Sequence, residues 1–206
     1  QVEIEDELLT LYTIPSDQAT FDDTWSTADD RVMGGKSYSY VNYESGYGKF
    51  NGTASKKGDT FAGGGFSVCR TQRDAFKFDL SQYDGLVFDV ASQDLRSLSF
   101  DIADDTERWP RSEWTAIFDV PGGLQQTTIY VPFDSFKPNF AAFTTWWFDY
   151  SIFWGLDKST INRISYKYSL FRRISYFFLI TVPVPNYEEG DFEFRFKDLK
   201  AYKLKK

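Results

Sequence analysis

Histidine is missing from all 206 residues, cysteine and methionine occur once each, and no apolar run reaches the length of a membrane-spanning helix. Each absence removes a class of chemistry. Without histidine the chain has neither the commonest general base nor the commonest zinc and haem ligand, and it lacks the usual switch near neutral pH. The single Cys69 permits no internal disulfide and no thiolate metal site. A spanning helix needs about 20 apolar residues. The longest candidate, Tyr176–Val182, has strand length and ends at Pro183 and Pro185. The first residues, Gln1–Glu7, are acidic and have neither signal nor transit character, so any targeting segment is expected to be gone already. Basic side chains (23) are outnumbered by acidic ones (30), which argues against a nucleic-acid partner. The net −7 is uneven: residues 158–206 carry +6, and Lys203, Lys205 and Lys206 read as solvated edge lysines.

What the chain does have is aromatic side chains: 21 Phe, 13 Tyr and 6 Trp, more than a small core needs. Many lie in period-two runs. Leu98, Phe100 and Ile102 alternate with Ser97, Ser99 and Asp101; Ile164, Tyr166 and Tyr168 form a second set, and Phe192, Phe194 and Phe196 a third. Alternation places each set on one face of a sheet. Leu86–Val90, Thr115–Phe118 and Thr127–Val131 are further strands, separated by turns such as Tyr83-Asp84-Gly85 and Pro121-Gly122-Gly123. About ten short strands with few helical windows predict an all-β fold, an antiparallel β-sandwich or jelly roll with few short helices.

Two glycine clusters stand before strand-like runs. The first lies in Trp-Ser-Thr-Ala-Asp-Asp-Arg-Val-Met-Gly-Gly-Lys-Ser, which supplies Trp25, Asp30, Val32, Met33, Gly34, Gly35 and Ser37; the second supplies Gly63, Gly64, Gly65, Phe66 and Arg70. Glycine pairs allow positive φ or close backbone approach, so these residues are expected to be a structural motif. Together with Phe50-Asn51-Gly52, Leu80–Leu86, Val131–Pro138 and Gly190–Tyr202, they resemble, in order, the signature of the complex I intermediate-associated protein family. The resemblance implies a galactose-binding-like jelly roll spanning residues 21–206 as one domain, preceded by an N-terminal extension at 1–20. It also implies a non-catalytic assembly factor or accessory subunit of an organellar electron-transfer complex. The partners would be protein subunits of that complex in a mitochondrion or a plastid thylakoid, with peripheral contact to the bilayer, and there would be no cofactor and no metal. The segment at 139–157 departs from the family pattern. Its aromatics (Phe140, Phe143, Trp146, Trp147, Phe148, Tyr150, Phe153 and Trp154) read either as a satellite core under a loop or as a docking surface for a partner or bilayer.

Other constellations are weaker. Gly35-Lys36-Ser37 lacks the upstream glycine of a P-loop, because position 30 is Asp, and a strand rather than a helix follows. Asp29 and Asp30 could bind calcium or act as acid and base, but they read better as turn formers, with Arg31 neutralising one of them. Asp101, Asp104, Asp105 and Glu107 lack EF-hand spacing and read as an exposed acidic loop. Asn51-Gly52-Thr53 is a formal glycosylation sequon in a predicted strand and is expected to be unmodified. The alternative function is a carbohydrate-binding module or a carboxylate-based glycosidase, because aromatic platforms with Asp, Asn and Arg suit sugars.

Overall fold

The computed structural model describes residues 3–4, 8–57, 65–72, 76–105, 112–140, 155–169, 171–173, 181–183 and 186–205. Gly63 and Gly64 lie outside them. So do Glu107 and seven of the aromatic positions: Phe143, Trp146, Trp147, Phe148, Tyr150, Phe153 and Trp154.

The fold is all-β, as the alternating runs predict, with two antiparallel sheets face to face and, among the described residues, one short helix. In chain order the strands are β1 (Leu9–Tyr12), β2 (Trp25–Asp29), β3 (Tyr38–Glu44), β4 (Tyr47–Ala54), β5 (Phe66–Thr71), β6 (Gly85–Ser92), β7 (Arg96–Asp104), β8 (Ser112–Val120), β9 (Thr127–Pro132), β10 (Lys137–Phe140), β11 (Ile161–Ser169), β12 (Phe171–Arg173), β13 (Thr181–Pro183) and β14 (Gly190–Tyr202). The first sheet runs β3-β4-β14-β6-β9, with β1 also on β14; the second runs β10-β8-β7-β11-β5-β2; β12 and β13 form a separate ribbon.

The three alternating sets meet in the core. Leu98, Phe100 and Ile102 on β7, Ile164, Tyr166 and Tyr168 on β11, and Phe192, Phe194 and Phe196 on β14 are all buried. Their rings interlock: Tyr166 and Phe196 have centroids 4.7 Å apart, as do Trp25 and Phe196, and Phe88 and Phe100 lie 4.8 Å apart. Packed rings of this kind add about 0.5–1.5 kcal/mol per pair beyond area burial. The helix α1 (Gln18–Thr24) is capped by Asp17, whose side chain accepts from the Thr20 N–H at 2.9 Å, and it delivers Phe21 to the same cluster.

One device in β14 was not visible in its alternation. Phe196 pairs with Val90, but the next inward residue, Leu199, pairs with Phe88, so the register slips by one. A one-residue bulge reverses which face a side chain meets. The inward set therefore changes from the even positions 192, 194 and 196 to the odd positions 199 and 201, all buried. The same strand pairs with β4 along Gly190–Phe196 and with β1 along Leu199–Ala201.

Candidate functional site

The signature folds into a knot around one carboxylate. Asp29 ends β2 and caps a 3-10 turn at Asp30–Met33, accepting from the Arg31 N–H; the turn is closed by Gly34 at φ 85°. Only glycine enters that left-handed region without strain. Asp30 is fully buried. Its Oδ1 accepts from the Ser37 N–H at 2.8 Å, and its Oδ2 accepts from the Ser37 hydroxyl at 2.8 Å and from the Gly65 N–H at 2.5 Å. Ser37 Oγ in turn accepts from the Ser55 N–H at 3.0 Å. The carboxylate thus ties the turn to the start of β3, to the chain leaving β4 and to the chain approaching β5. Gly35 donates to the Asp30 carbonyl at 2.9 Å, and a Cβ at Gly35 would sit 2.2 Å from Asp30 Cγ, so no side chain fits there.

The remaining motif residues surround this knot. Trp25 is a core residue, stacked on Phe21 and Tyr166. Arg31 clasps Asp29 through two 2.8 Å bonds, and these bonds hold its guanidinium above its ordinary pKa. Met33 closes the 3-10 turn, and Val32, at its tip, is 80% exposed. Phe66 opens β5 under the Lys167 ammonium, 5.8 Å from the ring centroid. Arg70 is exposed on the same strand, opposite Ser165. Phe140 is the last residue of β10. No carboxylate of the signature is left open for chemistry: Asp29 is spent on Arg31 and Asp30 on the knot.

A second polar constellation lies on the outer face of the second sheet, and it corrects the acidic-loop expectation. Asp101 is not in a loop; it sits inside β7 and is 1% exposed. Registers place Thr115 of β8 on one side of it and Ser165 of β11 on the other. Thr115 donates to Asp101 Oδ1 at 2.5 Å, while Oδ2 is buried and has no hydrogen-bond partner among the described residues. Burial pushes the Asp101 carboxyl up to about 6, against the opposing pull of the Lys167 charge. One row along, Glu113 of β8 and Arg163 of β11 pair at 2.7 Å across the small Ala103 of β7. Alternation put Asp101 on the face opposite Phe100. Its burial is something no local pattern reveals.

The outer face of the first sheet carries a closed charge network: Lys49 bridges Glu44 and Glu193 at 3.1 Å each, and Arg195 binds Glu193 at 2.9 Å. Cys69 is buried, which pushes its thiol far above the ordinary range and makes it inert as a nucleophile. Among the described residues, no group of three His, Cys, Asp or Glu is placed to hold a metal, and no helix is long and apolar enough to cross a membrane.

Two packed sheets around an aromatic core define the β-sandwich class seen in carbohydrate-binding modules. A family 11 carbohydrate-binding module from Clostridium thermocellum, solved with a β-1,3-1,4-mixed-linked tetrasaccharide, superposes with a TM-score of 0.60 at 15% identity, covering 96% of each chain. The family 11 module of the cellulase Lic26A-Cel5E from the same organism gives 0.59 at 16% identity, over 95% of this chain and 94% of that one. An agarase gives 0.54 at 14% identity, over 93% of this chain but 26% of its own. At these identities the likeness is one of fold. No curated protein matches the chain in sequence. Residues 15–194 match the family described as Complex I intermediate-associated protein 30, and the chain belongs to that family.

Proposed function

We propose that the chain is a non-catalytic binding module, an assembly factor or accessory subunit of a membrane-bound electron-transfer complex, with respiratory complex I in the mitochondrion as the best-supported setting. The observation that carries this reading is the family match over residues 15–194. The knot supports it, because the acidic residues of the signature are consumed in holding three strand ends together. A thylakoid setting has only the low pI, about 4.7, in its favour. On this reading residues 21–206 act as one domain. The aromatic segment from Phe140 to Trp154 docks on partner subunits, with peripheral contact to the bilayer. The test is native electrophoresis of mitochondrial membranes carrying the tagged chain. Co-migration with complex I intermediates, lost when Trp146 and Trp147 are both changed to Ala in a chain that still folds, supports the reading; migration of the wild-type chain apart from every complex I species overturns it.

A second reading, saccharide binding, is favoured by one observation: the likeness in fold to a module solved with a β-1,3-1,4-mixed-linked tetrasaccharide. Calorimetry with that tetrasaccharide tests it. Saturable heat would favour the sugar, and no heat with the wild-type chain would remove this reading.

A further inference from the structure

Among the described residues the edge strand β9 pairs on one side only, with β6. The parity of that ladder is fixed at its end, where the Phe133 N–H donates to the Asp84 carbonyl at 2.9 Å. The register is continuous from Gly85↔Pro132 to Val90↔Thr127, without a slip. In an antiparallel ladder, hydrogen-bonded and non-bonded pairs alternate. Val131, Ile129 and Thr127 therefore bond to β6, whereas the backbone groups of Pro132, Tyr130 and Thr128 point away from the sheet. Pro132 has no N–H, and its carbonyl accepts from the Ser135 hydroxyl at 2.6 Å. The N–H and C=O of Thr128 and Tyr130 remain, and among the described residues no strand pairs with them.

Edges of native sheets are usually blunted by charge, proline, a bulge or a cover. The other described edges are. β1 has a register slip, β10 carries Lys137 and Pro138, and β3 carries Glu44 and lies beside β2, where the Thr27 hydroxyl reaches the Ser39 carbonyl at 3.4 Å. β9 reads Thr-Thr-Ile-Tyr-Val-Pro, with no charge and no slip. Its proline stands where the open stretch ends. Beside this stretch, the outward-facing Tyr130 is 50% exposed, and inward Ile129 and Phe118 are only partly buried at the rim of the core.

We propose that β9 is a strand-addition site, which takes one extended segment of a partner polypeptide through the backbone groups of Thr128 and Tyr130. The sheet's own alternation dictates the chemistry of that segment. An apolar side chain facing inward completes the rim over Ile129 and Phe118, the next residue packs on Tyr130, and main-chain bonds supply affinity. The partner's identity as a complex I subunit rests on the function proposed above; the site itself does not.

The test uses two probes: a short synthetic strand of alternating threonine and valine with lysine ends, and isolated complex I intermediates. Amide exchange of the wild-type chain is followed with each. Alone, the Thr128 and Tyr130 amides should exchange much faster than those of Ile129 and Val131; with the synthetic strand they should slow at least tenfold. Thr128→Pro removes the outward N–H together with the side-chain hydroxyl, and should weaken that binding at least tenfold. Thr128→Ala, which loses the 2.7 Å hydroxyl bond to Asp89 but keeps the N–H, should bind as the parent does. Unchanged exchange of both amides in the presence of the strand overturns the proposal, whether or not the proline variant folds. A dimer of the chain alone that Thr128→Pro dissolves would also overturn it, because the occupant would then be a second copy. Protection by the strand but not by complex I intermediates leaves the site standing and counts against the proposed function instead.

Discussion

Replacing Asp30 with alanine isolates what the signature knot contributes. The side chain is fully buried and accepts three hydrogen bonds, two from Ser37 and one from Gly65. Bonds to a charged acceptor are worth about 1.5–3 kcal/mol each, and a buried donor left without a partner costs about 1–3 kcal/mol. Removing the charge also relieves its desolvation, so the three terms do not simply add. Breaking a buried charged network by deleting one partner typically costs about 3–5 kcal/mol, and that is the loss expected here. For a chain of this length 1 kcal/mol shifts Tm by about 2–4 °C, so the transition should fall by about 6–20 °C. Urea unfolding at neutral pH, followed by tryptophan fluorescence, reads it through Trp25 in the core. Ser37→Ala should cost about 1–2 kcal/mol, and the double variant should show coupling on the order of 1–2 kcal/mol, since both residues share one network. A loss under about 1 kcal/mol in Asp30→Ala, or strict additivity with Ser37→Ala, would refute the claim that this carboxylate fastens the three strand ends.

Three further outcomes can be checked on the isolated chain. Gly35→Val should lose about 1–3 kcal/mol through contact with the Asp30 side chain, measured by the same urea titration, and an unchanged midpoint would contradict the close approach. Asp101 has a folded-state pKa raised from 3.8 to about 6, so its contribution to stability is fully present below about pH 4 and lost as pH rises to about 6; Asp101→Asn should remove that loss and gain up to about 3 kcal/mol above pH 6, and equal slopes for both proteins across pH 4–6 would exclude it. Deleting Lys197, within the β14 bulge, removes the extra residue and leaves Leu199 two places after Phe196, still on the inner face, so a cooperative calorimetric transition should persist; its loss would contradict the bulge.

The strands whose side chains alternate were legible because one physical signal, period two, sufficed for them. Phe192, Phe194 and Phe196 could be assigned to one face from the sequence, and the turn role of Asp29 with Arg31 followed from neighbours two residues apart. What the sequence concealed depends on distant pairs. The bond from Gly65 to Asp30 joins residues 35 apart, and the bond that Asp101 accepts comes from Thr115 on an adjacent strand. The slip after Phe196 leaves no mark in composition, since Lys197 and Asp198 look like any polar pair. β1 escaped notice for another reason: Leu9-Thr10-Leu11-Tyr12 is too short to show a period against the acidic stretch before it.

The position of β14 has a consequence for how the protein is made. Residues 190–202 join β4, β6 and β1, so the first sheet has no continuous hydrogen-bonded path until this late segment is present. Leu9 must wait for Ala201, a separation close to the whole chain. A ribosome adds about 5–20 residues per second, so a nascent chain spends roughly ten seconds or more with its aromatic inner faces unroofed. Such high contact order also sets folding in the millisecond-to-second range once the last strand arrives. During that interval the polypeptide exposes strands rich in Phe and Tyr, the kind of unpaired apolar surface that makes an unfinished chain prone to aggregate.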